Sequence, residues 1–209
     1  KLIAEERLVT LAGHGGVGKT RLDLQAAKDA SPFFRDGVWL VELATLTDAS
    51  LLASAITSVL SLKIGTNTTP LDSLSRYLAK KSMLLVLDNC EHLIAAAGYI
   101  AEVLLNSCPD LKILATSREP LSCSGEQALE IPPFTLPDED AISPDVVRSV
   151  AAVELFVERA TEADVTFRIN DSDLAAGVRI CRRVGGLPLA IEMAAGWAAV
   201  LGLEVLDAK

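Results

Sequence analysis

Basic charge is scarce in this 209-residue chain: 19 Lys and Arg stand against 28 Asp and Glu, a formal net charge of −9. Faces that bind nucleic acid are usually basic. No helix-like stretch carries a basic recognition face, so direct DNA binding by this chain is disfavoured. The four cysteines, Cys90, Cys108, Cys123 and Cys181, are far apart. With no Cys-x-x-Cys and no Cys/His cluster, a zinc site is disfavoured, and the thiols read as reduced and mostly buried in a cytoplasmic protein. No signal peptide opens the chain. The most apolar stretch, 187–203, contains Pro188, Glu192 and Gly196. It is too short and too interrupted to span a membrane, and is expected to be a buried helix. No internal repeat is evident. Aromatics make up only 4% of a chain that is half apolar, so Ala and Leu dominate, as in helix-rich α/β proteins. The length suits one large domain or two small ones.

What the chain does have is glycine in one place. Gly13-His14-Gly15-Gly16-Val17-Gly18-Lys19-Thr20 follows the apolar run 8–12 and leads through Arg21 into a helix-like segment ending at Ala30. This is the Gly-x-x-x-x-Gly-Lys-Thr pattern in a strand–loop–helix setting. A Gly-rich turn that happens to carry a lysine is the plain alternative, and the flanking strand and helix argue against it. Gly13, Gly15, Gly16 and Gly18 permit positive φ and leave no side-chain bulk. Main-chain N–H groups can then wrap an anion at the helix N-terminus. Lys19 is expected on the β- and γ-phosphates of a nucleotide, and the Thr20 hydroxyl on Mg²⁺. Along the following helix, Asp23 interrupts the apolar positions and is expected on the solvent side.

Strands are expected at 37–43, 83–88, 111–116 and 128–131, the first almost continuously apolar, as in a parallel sheet covered on both faces. Trp39 then reads as a core aromatic. Helices are expected at 49–60 after the cap Thr47-Asp48, at 71–80, and at 91–106. The run Met83-Leu84-Leu85-Val86-Leu87-Asp88 ends in a carboxylate at the edge where open α/β sheets bind ligands. Asp88 is expected to orient Mg²⁺ through water; the plain alternative is a buried strand closed by a helix-starting aspartate, and the glycine-rich loop upstream argues against it. Arg118, just past the 111–116 strand, is placed to sense a γ-phosphate; the plain alternative is an exposed arginine in a loop. Composition shifts after residue 135. Residues 136–148, with Pro137, Asp138, Glu139, Asp140 and Pro144, read as a linker. Beyond it, helices are expected at 147–160, at 174–184 capped by Asp171, and at 189–203. The expected architecture is a five-stranded parallel sheet with flanking helices over 1–135, then a small helical domain over 149–209.

Four ordered segments carry a family resemblance: Gly13–Thr20; Leu84-Leu85-Val86-Leu87-Asp88-Asn89-Cys90-Glu91-His92; Ala115-Thr116-Ser117-Arg118-Glu119-Pro120-Leu121; and Gly185-Gly186-Leu187-Pro188-Leu189-Ala190-Ile191-Glu192. The chain resembles, over nearly its whole length, the nucleotide-binding module of STAND-type signalling ATPases, the NB-ARC domain. It looks closest to the bacterial branch in LuxR-type and AfsR-type transcriptional regulators. The resemblance implies a switch: ADP holds a closed form, and exchange for ATP permits self-association or output. It implies that Pro188 approaches the adenine from the helical domain, with Gly186 allowing close approach. It also implies that a segment before the first strand, a winged-helix domain and any DNA-binding domain lie outside this chain. One departure concerns chemistry. Where the family often has a second acidic residue after the strand-end Asp, this chain has Asn89, which can orient water but cannot take its proton. Glu91 or His92 could substitute, or simply start a helix, so hydrolysis is expected to be slow. A small-molecule kinase would need an acceptor pocket and an arginine-rich lid, and a transport ATPase its signature loop; neither is visible. A scaffold that has lost nucleotide binding is opposed by the intact Gly18-Lys19-Thr20 and Asp88.

Overall fold

A computed structural model describes residues 2–137 and 143–208. They form two compact units, Lys1–His14 with Lys19–Ile131, and Gly15–Gly18 with Pro132–Lys209. In the first, a short helix α1 (Leu2–Glu5) precedes β1 (Leu8–Ala12), α2 (Lys19–Ala30), β2 (Val38–Glu42), α3 (Leu52–Val59), α4 (Pro70–Leu78), β3 (Met83–Asp88), α5 (Ile94–Ser107), β4 (Leu111–Ser117) and β5 (Glu126–Glu130). The five strands are parallel in the order β2-β3-β4-β1-β5.

Strand composition explains the layering. Alternate residues of a strand point to opposite faces. Leu85 and Leu87 of β3, with Leu8 and Ile113, join the core under α3, α4 and α5. Leu84 and Val86, with Val9, Leu11 and Leu114, join a second core that includes Ala27 of α2. Every β3 residue before Asp88 is therefore buried, whichever way it points. Trp39 is half-buried against the larger core.

Helix starts follow local chemistry. Thr69 caps α4 by accepting the Asp72 N–H at 3.1 Å, with Pro70 as the first helical residue. Asp48 accepts the Ser50 N–H at 2.9 Å and starts a 3-10 turn, 49–51, that precedes α3. The helix expected from residue 91 begins instead at Ile94, because Asn89 takes a left-handed conformation (φ 66°, ψ 53°) and Cys90–His92 form a separate 3-10 turn. Arg7 secures the far end of α5, donating to the carbonyls of Leu105 at 2.8 Å and Cys108 at 2.5 Å.

The second unit holds α6 (Pro144–Arg148), α7 (Ala151–Ala163), α8 (Asp171–Arg183), α9 (Pro188–Leu201) and α10 (Leu203–Asp207). Residues 138–142 of the expected linker lie outside the described residues, and its last residues are α6. The helix expected over 147–160 is broken at Ser149–Val150. The cap of α8 is Asn170, which accepts the Asp173 N–H at 3.0 Å, and not Asp171. Phe156, Cys181, Ile191 and Ala195 are fully buried in its core. The expectation that 187–203 is a buried helix needs correction. Gly202 (φ 85°) ends α9, and Leu189, Met193, Trp197 and Val200 form an exposed face. Among the described residues, no helix is long and apolar enough to cross a membrane. Gly186 is costly to replace: its φ is 68°, and a Cβ there would lie 2.4 Å from the Phe134 carbonyl oxygen, so the backbone would have to shift.

Candidate functional site

The glycine-rich loop leaves the carboxyl end of β1, next to the ends of β4 and β5. Gly13, Gly16 and Gly18 have φ of 148°, 82° and 92°, so all three occupy backbone space that side chains disfavour. Val17 is buried and Arg21 exposed. Lys19 opens α2 and curls back: its Nζ donates to the Gly13 carbonyl at 2.7 Å and the His14 carbonyl at 3.0 Å. It is only 9% exposed. Burial lowers its pKa from the usual lysine value, and the Glu91 carboxylate, then Asp88 and Glu130, resist that shift while Arg118 adds to it. A buried ammonium with its affinity for protons weakened is primed for an anion.

Asp88 ends β3 one position past the Leu87–Ala115 pair. Its Oδ1 accepts from the Thr20 hydroxyl at 3.0 Å and the Thr116 hydroxyl at 2.5 Å. Thr116, buried at the end of β4, also accepts the Asn89 N–H at 2.8 Å. The Thr20–Asp88 pair is a set of hard oxygen donors, two protein groups on adjacent elements. That fits Mg²⁺, which takes one or two protein oxygens and completes its shell with water and phosphate. No cluster of three or more His, Cys, Asp or Glu suited to a metal occurs among the described residues. The donors here are too few to hold an ion without a nucleotide.

Arg118 and Glu91 form an ion pair at 2.9 Å, Arg118 being 67% exposed and Glu91 22%. His92 lies elsewhere, its Nε2 2.7 Å from the Leu46 carbonyl oxygen. Pro188 is the first residue of α9, and within the second unit the Leu189 N–H donates to the Gly16 carbonyl at 3.1 Å. A Cβ on Gly16 would stand 3.1 Å from Leu189 Cβ.

Two polar residues were not anticipated. Thr116 lay inside the Ala115–Leu121 segment, but only the pairing of β3 with β4 shows that its hydroxyl meets Asp88. Asp23, expected on the solvent side, is fully buried, and neither carboxylate oxygen has a hydrogen-bond partner. Burial, and then the charge of Asp88, raise its pKa to about 7, while the nearby Leu24 amide opposes the shift without making a full hydrogen bond. The signal was available: Lys19, Asp23 and Ala27 recur every four residues, the spacing of one helix face.

Comparison with known proteins follows the same lines. The NB-ARC domain family matches residues 1–131. Rv0890c of Mycobacterium tuberculosis, whose name proposes an HTH-type transcriptional regulator, is 42% identical over 207 residues, 99% of this chain and 22% of that protein. The chain thus spans about a fifth of such relatives. Among solved structures, a STAND protein with a tetratricopeptide repeat sensor, PH0952 of Pyrococcus horikoshii, shares the fold at a TM-score of 0.57 and 15% identity, over 91% of this chain and 28% of its own. The ORC2 protein of Aeropyrum pernix, solved as ADPNP–ADP complexes, aligns over 97% of this chain and 60% of its own, with a TM-score of 0.56 and 15% identity. At such identities the likeness is one of fold.

Proposed function

The chain belongs to the NB-ARC family, and from that premise we propose that it is an ATP/ADP-binding switch module with slow hydrolysis, part of a larger bacterial transcriptional regulator of the LuxR or AfsR kind. The observation that carries this is the meeting of a buried Lys19, folded onto its own loop, with the Thr20–Asp88 pair at the carboxyl edge of the sheet. In this reading, main-chain groups from Gly13 to Arg21 hold the phosphates and Lys19 neutralises the β- and γ-oxygens. Thr20 and Asp88 hold Mg²⁺, which would spread the phosphate charge. Pro188 meets the adenine.

Arg118 is the γ-phosphate sensor. It now faces Glu91, so a γ-phosphate would compete with that carboxylate for the same guanidinium. While the pair lasts Glu91 is held on Arg118 and not on a water, and Asn89 has no carboxylate to offer. Turnover is expected below about 0.01 s⁻¹, the range of unassisted switch NTPases. A faster steady-state rate from the purified chain would remove the switch reading. DNA contact belongs to parts of the regulator outside this chain, given the net charge of −9. Self-association in the ATP state and a cytoplasmic setting complete the proposal. Its direct test is to denature the purified protein and identify the nucleotide released. ADP is expected; no nucleotide, together with no ADP or ATP binding by calorimetry, would overturn it.

A further inference from the structure

We propose that Thr116 is a positioning residue for the metal-linked part of nucleotide binding: its hydroxyl sets the orientation of the Asp88 carboxylate, and with it the gain in affinity that Mg²⁺ confers. The inference rests on the nucleotide reading above. It goes further in assigning a task to a side chain that neither the loop pattern nor the strand-end carboxylate requires.

The geometry is specific. A threonine hydroxyl has one proton to donate and two lone pairs. Here the proton goes to Asp88 Oδ1 at 2.5 Å, the length of a charge-assisted bond. One lone pair takes the Asn89 N–H at 2.8 Å. Thr116 therefore holds both the carboxylate and the peptide that follows it. That peptide leads into a left-handed residue, Asn89 at φ 66°, a conformation non-glycine residues adopt only at some expense. Without the Thr116 oxygen, a partly buried N–H at this turn loses its acceptor.

The carboxylate has its own freedom. Rotation about its terminal torsion is broad and roughly two-fold. Both hydroxyl donors, Thr20 and Thr116, meet Oδ1, and among the described residues no hydrogen bond engages Oδ2. Of the two donors, Thr20 is the one expected to hold metal. Thr116 is then the donor that continues to steer Asp88 once a nucleotide with its ion has bound. Its branched side chain, fully buried in a strand, has little χ1 freedom with which to wander. Groups that orient a metal ligand without touching the metal typically affect affinity by ten- to a hundredfold.

Thr116→Val keeps the shape and strand preference and deletes the hydroxyl; Thr116→Ser keeps the hydroxyl and deletes the methyl group. Calorimetric titration with ADP, in excess Mg²⁺ and in EDTA, gives the Mg²⁺ gain for each. We expect Val to reduce that gain about tenfold while the affinity in EDTA stays within about twofold, and Ser to restore most of the gain. Thr116→Ala gives the same comparison should Val fold poorly by circular dichroism. A purely packing role predicts the opposite order, with Ser the worse variant. An undiminished gain in Val or Ala overturns the proposal, as does wild-type protein that binds ADP with no Mg²⁺ gain; in both cases the nucleotide reading survives. Wild-type protein that binds no ADP in either buffer overturns that reading and the proposal together.

Discussion

Lys19→Ala is expected to weaken ADP and ATP binding at least about a hundredfold while leaving helix content near wild type. The size follows from what the ammonium does. Hydrogen bonds to charged groups contribute roughly 1.5–3 kcal/mol each, and about 2.7 kcal/mol is a factor of a hundred in affinity. Lys19 also neutralises the Gly13 and His14 carbonyls, which it meets at 2.7 and 3.0 Å. In the alanine variant those oxygens face a phosphate unscreened, so repulsion adds to the lost attraction. Stability should change little. Burial already lowers the lysine pKa, which means its charge is held in the fold at some expense, and alanine is the best helix former at the head of α2. Calorimetry with each nucleotide, and circular dichroism of the free protein, check both halves. Unchanged affinity would mean that the loop is not the nucleotide site.

How much of this could be read in advance depended on whether a residue's task is local. β3 was legible to the residue, because an unbroken apolar run closed by Asp88 marks both ends of a strand buried on both faces. The loop was legible because glycine, lysine and threonine act there through their own backbone and side-chain chemistry. Boundaries that depend on a distant partner were not. The 3-10 turn after Asn89 follows from a left-handed residue tied to Thr116, 27 positions along the chain. The Arg118–Glu91 pair joins two segments that lie apart in the sequence. In 187–203, composition pointed to burial, but which face of α9 is covered depends on neighbours, and Leu189, Met193, Trp197 and Val200 are left exposed. Asp23 is the sharpest instance. Its helical spacing with Lys19 and Ala27 pointed inward, while its chemistry argued for solvent, and the spacing prevailed.

That conflict has a measurable consequence. Asp23→Asn is expected to stabilise the protein at pH 8 and to leave stability nearly unchanged below pH 4. In the unfolded chain the carboxyl releases its proton near pH 3.8; in the folded protein it keeps it to about pH 7. Between those values folding takes up a proton, so wild-type stability declines as pH rises, and above about 7 the loss is complete. Three pH units correspond to roughly 4 kcal/mol. The amide is never charged and escapes this penalty, but it is a buried polar group too. The protonated carboxyl it replaces also lacks partners, so at low pH the two should be nearly equivalent. A net gain of about 2–4 kcal/mol at pH 8 follows, read from urea unfolding of both proteins at pH 4 and pH 8. The pH dependence is the decisive part. A gain of equal size at both values would mean that packing, and not charge, sets the stability of this site. The same carboxylate charge lies near enough to Asp88 to raise the Asp23 pKa. Removing it therefore relieves repulsion beneath the proposed metal position as well as in the core.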